Sequence, residues 1–146
     1  DDAVAATKAA LAEGIVAGGG VTLVNLAGGL KVTGADSIAA GRQILKDALK
    51  QPFLQIMRNA GLNADALLAQ VEAGKAGFGV NVMKPENELV DVKKAGVIDP
   101  ARVTKEAVQN AVSIASTAAT MGALVVDVPE PEAPAAPGGM PGMGMM

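Results

Sequence analysis

Glu13-Gly14-Ile15-Val16-Ala17-Gly18-Gly19-Gly20 is the stretch on which the reading of this chain turns. Glycine in a helix interior costs roughly 1 kcal/mol relative to alanine, so three in a row form a stop. Upstream, Val4, Leu11 and Ile15 recur at spacings of seven and four, with Lys8 and Glu13 off that face. That spacing predicts a helix over residues 1–17, ended by Gly18-Gly19-Gly20. Downstream, Val21 to Leu26 reads as a short second helix that Gly28-Gly29 stops. Past a connector at 30–34, Asp36 or Ser37 caps a longer helix with Ile38, Leu45, Ala48 and Leu49 on one face. Pro52 breaks or restarts that helix, and Phe53, Ile56 and Met57 carry the apolar stripe to Gly61. Asn63 caps a further helix through Glu72, with Leu67, Leu68 and Val71 turned inward.

The period then changes from helical to two. Phe78-Gly79-Val80-Asn81-Val82 and Leu89-Val90-Asp91-Val92 alternate across the polar stretch Lys84-Pro85-Glu86-Asn87-Glu88, the pattern of a β-hairpin with a long turn. Asp99-Pro100 opens the last helix, Asp as N-cap and Pro at the first helical position. Val103, Ala107, Ala111, Ile114 and Ala118 continue it to about Thr120. Leu124-Val125-Val126-Asp127-Val128 reads as a short strand with no partner nearby in sequence, so its partner is expected in another segment or another subunit. From Pro129 onward, Pro, Glu, Ala, Gly and Met mark a disordered tail ending Gly138-Gly139-Met140-Pro141-Gly142-Met143-Gly144-Met145-Met146. Methionine is flexible and apolar, which suits such a tail to weak contact with many apolar surfaces. The fold class expected is mainly α, with one small hairpin and a C-terminal strand.

Composition narrows the chemistry. The 146 residues suit one ordinary domain, and a core with two Phe and no Trp or Tyr must be built from small aliphatics. A net charge of −3 gives no electrostatic reason to expect nucleic acid. The absence of Cys excludes disulfides and thiolate sites. The absence of both His and Cys removes the usual transition-metal ligands and nucleophile pairs. No apolar run approaches the roughly 20 residues of a membrane-spanning helix. No signal peptide is visible. The opening Asp1-Asp2-Ala3-Val4, already inside a helical pattern, is read as the start of a piece of a longer chain.

Several strings together resemble the C-terminal portion of the group I, 60 kDa chaperonins of the GroEL class. They are Asp2-Ala3, Ala6-Thr7, the Glu13–Gly20 stretch, Phe78-Gly79-Val80-Asn81, Gly96-Val97-Ile98-Asp99-Pro100, Val103-Thr104 and the Gly/Met tail. The resemblance covers the whole chain and keeps one spacing from Asp2 to Asp99. It implies that residues 1–17 end an intermediate domain, that 18–128 belong to a helical equatorial ATP-binding domain, and that 129–146 are tail. It further implies seven-membered rings stacked in pairs, a co-chaperonin lid of the GroES type and unfolded polypeptides as substrates. ATP with Mg2+, and K+ as a further candidate cation, are the implied cofactors, and the bacterial cytoplasm or an organellar matrix the implied compartment. The family's phosphate loop, its main Mg2+ ligand and its apical domain fall in earlier parts of family sequences. The 146 residues alone are therefore expected to be inactive.

Carried onto this sequence, the family's catalytic aspartate falls on Asp2, which would position the attacking water and contact Mg2+ only indirectly. Without the resemblance, Asp2 reads as an exposed first-turn carboxylate favoured by the helix dipole. Gly19, and with it Gly18, would let the backbone approach the ribose and base, where a plain reading is a helix break. Asn81 would bond an adenine edge, or simply satisfy a turn. Val82 and Met83 stand where the family often has Ala-Ala, making that wall bulkier. Val97 would pack on the base, and Asp99 would accept the ribose hydroxyls besides capping its helix. Gly74-Lys75-Ala76-Gly77-Phe78-Gly79 superficially suggests a phosphate loop, but it precedes a hairpin and reads as a turn. The rival to an ATPase fragment is a stand-alone helical assembly module without catalysis.

Overall fold

In the computed structural model, which describes residues 1–84 and 88–128, helix α1 (Asp2–Glu13) stops at Gly14 rather than at the glycine triplet. Gly14 takes φ +83°, a left-handed value that glycine adopts without a Cβ penalty. The expected helix over 1–17 is thereby corrected. Ile15 and Val16 are β-branched and suit an extended chain, and they form strand β1 (Ile15–Ala17). Its partner is β4 (Ile98–Pro100), antiparallel, with Ile15 opposite Pro100, Val16 opposite Asp99 and Ala17 opposite Ile98. The junction is closed by Ala101 N–H donating to Gly14 O at 3.0 Å and Lys93 Nζ donating to Ile15 O at 3.3 Å.

This pairing also corrects the start of the last helix. Asp99 lies in β4, and Pro100 is the N-cap of α6 (Ala101–Ala119), with Thr104 Oγ1 donating to Pro100 O at 3.3 Å. Ladder pairing has taken the residue that local capping chemistry would have used.

Gly20, at φ +79°, is the N-cap of α2 (Val21–Gly29), which buries Val21, Val24 and Ala27 at i, i+3 and i+6. α3 (Ser37–Ala48) begins as expected, Asp36 Oδ1 accepting from Ala39 N–H at 2.8 Å. Proline is tolerated in a first helical turn, and Pro52 there marks a restart as α4 (Gln51–Asn59). α4 buries Phe53, Leu54 and Met57. α5 (Ala64–Ala73) is capped by Asn63 Oδ1, which accepts from Ala66 N–H at 3.2 Å. It turns Ala64, Leu67 and Val71 inward, while Leu68 is partly buried against the same core.

The hairpin forms from β2 (Phe78–Val80) and β3 (Leu89–Asp91), with Gly79 opposite Val90. It is shorter than the alternation suggested, because Asn81 and Val82 leave the ladder in a turn where Lys84 N–H donates to Asn81 O at 2.9 Å. Residues 85–87 of the expected connecting turn, and the tail from 129, lie outside the described residues.

One apolar core joins α2, α4, α5 and the hairpin, with Phe53 and Val92 fully buried at its centre and Val21, Met57 and Val71 around them. Burying a Phe side chain contributes on the order of 2–3 kcal/mol. α1 and α6 stand outside this core and bury no residue, although α6 runs for 19 residues. They pack on each other and on β4, and Lys105 pairs with Glu13 across their junction. Val4, Leu11, Val103 and Ile114 are exposed, so the apolar spacing read in these two helices fills no core here. Residues 124–128 form no strand among the described residues and are exposed, with Val125 at 93%.

Candidate functional site

The β1–β4 ladder sets two distant stretches against one another at the glycine triplet. Gly18 N–H donates to Val97 O at 3.0 Å. A Cβ at Gly18 would lie 2.9 Å from the backbone nitrogen of Ile98 and 3.0 Å from the carbonyl carbon of Val97. Gly18 is therefore required by backbone crossing backbone, a structural cause that reading it as a ligand contact had missed. Gly19 differs. It takes φ +66°, and a Cβ there would meet only Val97 Cγ1, at 3.6 Å. Its backbone is thus bare on a face bordered by Val97. Gly20 presses on α4, a Cβ there falling 2.8 Å from both N and Cα of Phe53.

Asp99 is half-buried in β4 and makes no ion pair or side-chain hydrogen bond among the described residues. Its carboxylate keeps all its acceptor positions for another partner. Gly18, Gly19, Val97 and Asp99 are so brought into one neighbourhood.

Asn81 reaches the same region through β2. Gly79 of β2 lies so tightly against Val21, two residues beyond Gly19, that no Cβ would fit, and Val92 closes the other side. Asn81 Oδ1 accepts from Met83 N–H at 3.1 Å, which fixes the amide and leaves its NH2 as a donor. Val82 is 40% exposed and Met83 86% exposed at the tip of that turn. Asp2 makes no side-chain hydrogen bond or ion pair among the described residues. It is exposed in the first turn of α1, about 17 Å of helix axis from Glu13, and β1 runs onward from there.

Near β4, Arg102 and Glu106 of α6 are spent on each other. Arg102 Nε donates to Glu106 Oε1 at 2.8 Å. This hydrogen bond, and then the guanidinium charge, hold the Glu106 carboxyl below the ordinary glutamate range. The same contact raises Arg102.

The donor set tests what the neighbourhood could hold. A bare glycine backbone at a valine face, an amide donor and an unpaired carboxylate fit a nucleoside: stacking on Val97, an amide for a base edge, a carboxylate for vicinal hydroxyls. No phosphate cradle accompanies them, and no group of three or more His, Cys, Asp or Glu that could hold a metal occurs among the described residues. No described helix is long and apolar enough to cross a membrane. The residues that sequence reasoning missed are Ile15 and Val16, whose β-branching after a glycine was the available sign of a strand, and Phe53, whose backbone contact with Gly20 nothing local announces.

Residues 1–128 match the model of the TCP-1/cpn60 chaperonin family. The chain is 42% identical over 145 residues to Chaperonin GroEL 1 of Prochlorococcus marinus (strain MIT 9215), covering 97% of this chain and 24% of that one. Among solved structures it resembles a group III chaperonin in the open state, with a TM-score of 0.71 and 27% identity over 80% of this chain and 25% of that one. An open-state monomer of a group II chaperonin from Methanococcoides burtonii shares the fold, with a TM-score of 0.63 and 24% identity over 73% of this chain and 28% of that one. The chain belongs to the TCP-1/cpn60 chaperonin family, as the resemblance read from the sequence implied. It spans about a quarter of the length of GroEL 1.

Proposed function

We propose that this chain is the adenosine-binding part of an ATP-hydrolysing chaperonin that encloses unfolded polypeptides and assists their folding. The observation that carries this reading is the β1–β4 pairing, which sets Gly19, Val97 and Asp99 side by side. In this reading the ribose lies along the bare backbone of Gly19 and its hydroxyls donate to Asp99. Val97 packs on the base, Asn81 Nδ2 donates to its edge, and Val82 and Met83 form a wall. Gly18 keeps the two strands in contact. ATP would supply the free energy of the working cycle, with Mg2+, and K+ as a further cation, neutralising its phosphate charge. Binding energy that differs between two ring states is what moves them.

Asp2 is assigned to orient the attacking water through its carboxylate, since phosphoryl transfer depends chiefly on positioning and electrostatics. Residues 1–17 then close an intermediate domain, 18–128 form the C-terminal part of the equatorial domain and 129–146 the tail. Stacked seven-membered rings, a co-chaperonin of the GroES type, unfolded chains as substrates and a cytoplasmic setting complete the reading. The 146 residues without the phosphate-binding part are inactive in it.

The test is Asp2→Ala in the full-length polypeptide. ATP turnover should fall by roughly 100-fold or more, the scale of a positioned carboxylate, while ATP still binds. Unchanged hydrolysis removes Asp2 from the mechanism. A second reading, a helical assembly module without catalysis, is favoured by the exposed Leu124–Val128 segment. It stands only if the full-length polypeptide has no ATPase activity.

A further inference from the structure

At the end of α2 remote from the glycine triplet, a pocket of about 420 Å3 opens between α2, α3 and α5. Asn25 and Gly28 of α2, Lys46 of α3 and Glu72 of α5 line it, with Lys50 from the α3–α4 junction. Val24 and Val71 form its apolar floor. Gly74 and Ala76 form one rim, so the turn that follows α5 borders a pocket although it is no phosphate loop. We infer that this pocket binds a small organic monocarboxylate, its carboxylate held by Lys46 and Asn25 and its short carbon chain laid over Val24 and Val71. The inference goes beyond the chaperonin reading and does not depend on ATP hydrolysis.

Charge, hydrogen bonding and size select that ligand. Lys46 and Lys50 stand four residues apart, and Lys50 keeps helical backbone angles, a spacing at which like charges repel. One carboxylate serves both ammoniums. Glu72 Oε1 accepts from Lys50 Nζ at 2.7 Å, and the Lys50 side chain is only 21% exposed. Lys46 is half-buried and makes no ion pair or side-chain hydrogen bond among the described residues. The pocket side chains thus carry one positive charge in excess, and an ammonium drawn partly out of water is stabilised by an anion. Asn25 is also half-buried, with its side chain bonded to no described residue. An amide NH2 beside an ammonium suits the two oxygens of a carboxylate. A divalent cation is disfavoured, because it needs several oxygen ligands and the one carboxylate present is already paired. The three helices bring their C-terminal ends toward the pocket. Those ends favour charged lysines and offer no cradle of backbone N–H groups for a phosphate. The volume lies at the low end of ligand pockets, which suits a molecule of a few carbons.

The experiment titrates butanoate into the full-length polypeptide and follows binding by saturation-transfer difference NMR on the butanoate methyl. Saturable binding is expected. Lys46→Gln should weaken it by about 10-fold or more, the scale of a lost charge-assisted hydrogen bond. Lys46→Arg, which keeps the charge, should restore it. Asn25→Asp keeps the shape but sets a like charge against the ligand, and should also weaken binding by about 10-fold or more. Lys31→Gln, outside the pocket, should leave the affinity unchanged. Butylammonium, with the same chain and the opposite charge, should not compete, and neither should inorganic phosphate at equal concentration. Absence of saturable binding overturns the inference. So does binding that survives Lys46→Gln or Asn25→Asp, or that butylammonium or phosphate displaces. A Lys46→Arg protein that binds no better than Lys46→Gln, or an equal loss in Lys31→Gln, overturns the assignment of the carboxylate to Lys46.

Discussion

The glycines at 18, 19 and 20 are adjacent in sequence and have three different reasons to lack a side chain. Gly18 admits the backbone of residues 97–98, Gly20 admits the backbone of Phe53, and Gly19 alone leaves its face open beside Val97. Gly20→Ala should therefore be a folding defect. It combines a left-handed φ of +79° with a Cβ 2.8 Å from main-chain atoms that cannot step aside. A loss of at least about 2 kcal/mol is expected in urea unfolding of the full-length protein. Gly19→Ala should cost less stability, because its only near neighbour is a methyl at 3.6 Å, and should instead weaken nucleotide binding. A Gly19→Ala protein that binds ATP normally would remove Gly19 from the site.

At the scale of elements, α1 and α6 depend on polar contacts at their junction in place of a buried stripe. Glu13 with Lys105 and Arg102 with Glu106 are exposed pairs, of the kind that contributes little each. The Glu106 carboxyl has its pKa lowered in the folded chain by Arg102. A lowered folded value means stabilisation that is present above the ordinary glutamate value and lost as pH falls through the depressed one. By NMR, Glu106 should titrate below the ordinary glutamate range, and Arg102→Gln should move it up toward that range. Titration at the ordinary value with Arg102 present would show that the pair does not persist in solution. The caps at Asp36 and Asn63 were legible because each is a contact within three residues. Asp99 was not, because strand pairing across the chain competed with the local cap and won.

Over the whole molecule, the described residues divide into a filled core around Phe53 and an unfilled cleft between α3 and α6. The Leu124–Val128 segment adds an exposed apolar edge. Exposed apolar surface of this extent marks a site of interaction. The tail contributes no alternating or helical stripe to cover it. On the proposed function, deleting residues 130–146 from the full-length polypeptide should leave ring assembly intact by native mass spectrometry. Rings that fail to form would make the tail structural.

The amino-acid sequence alone determined the order of helices, two of their caps, the hairpin and the family, since these rest on contacts within a few residues or on strings that stand intact. It also carried Gly19, Asn81, Val97 and Asp99 as candidates, by resemblance. Tertiary structure decided the β1–β4 sheet, the strand role of Asp99, and the reason for Gly18 and Gly20. Each of those depends on backbone meeting backbone between segments far apart in the chain. No local period records such a meeting, because its free energy is gained only once the core around Phe53 has brought the segments together.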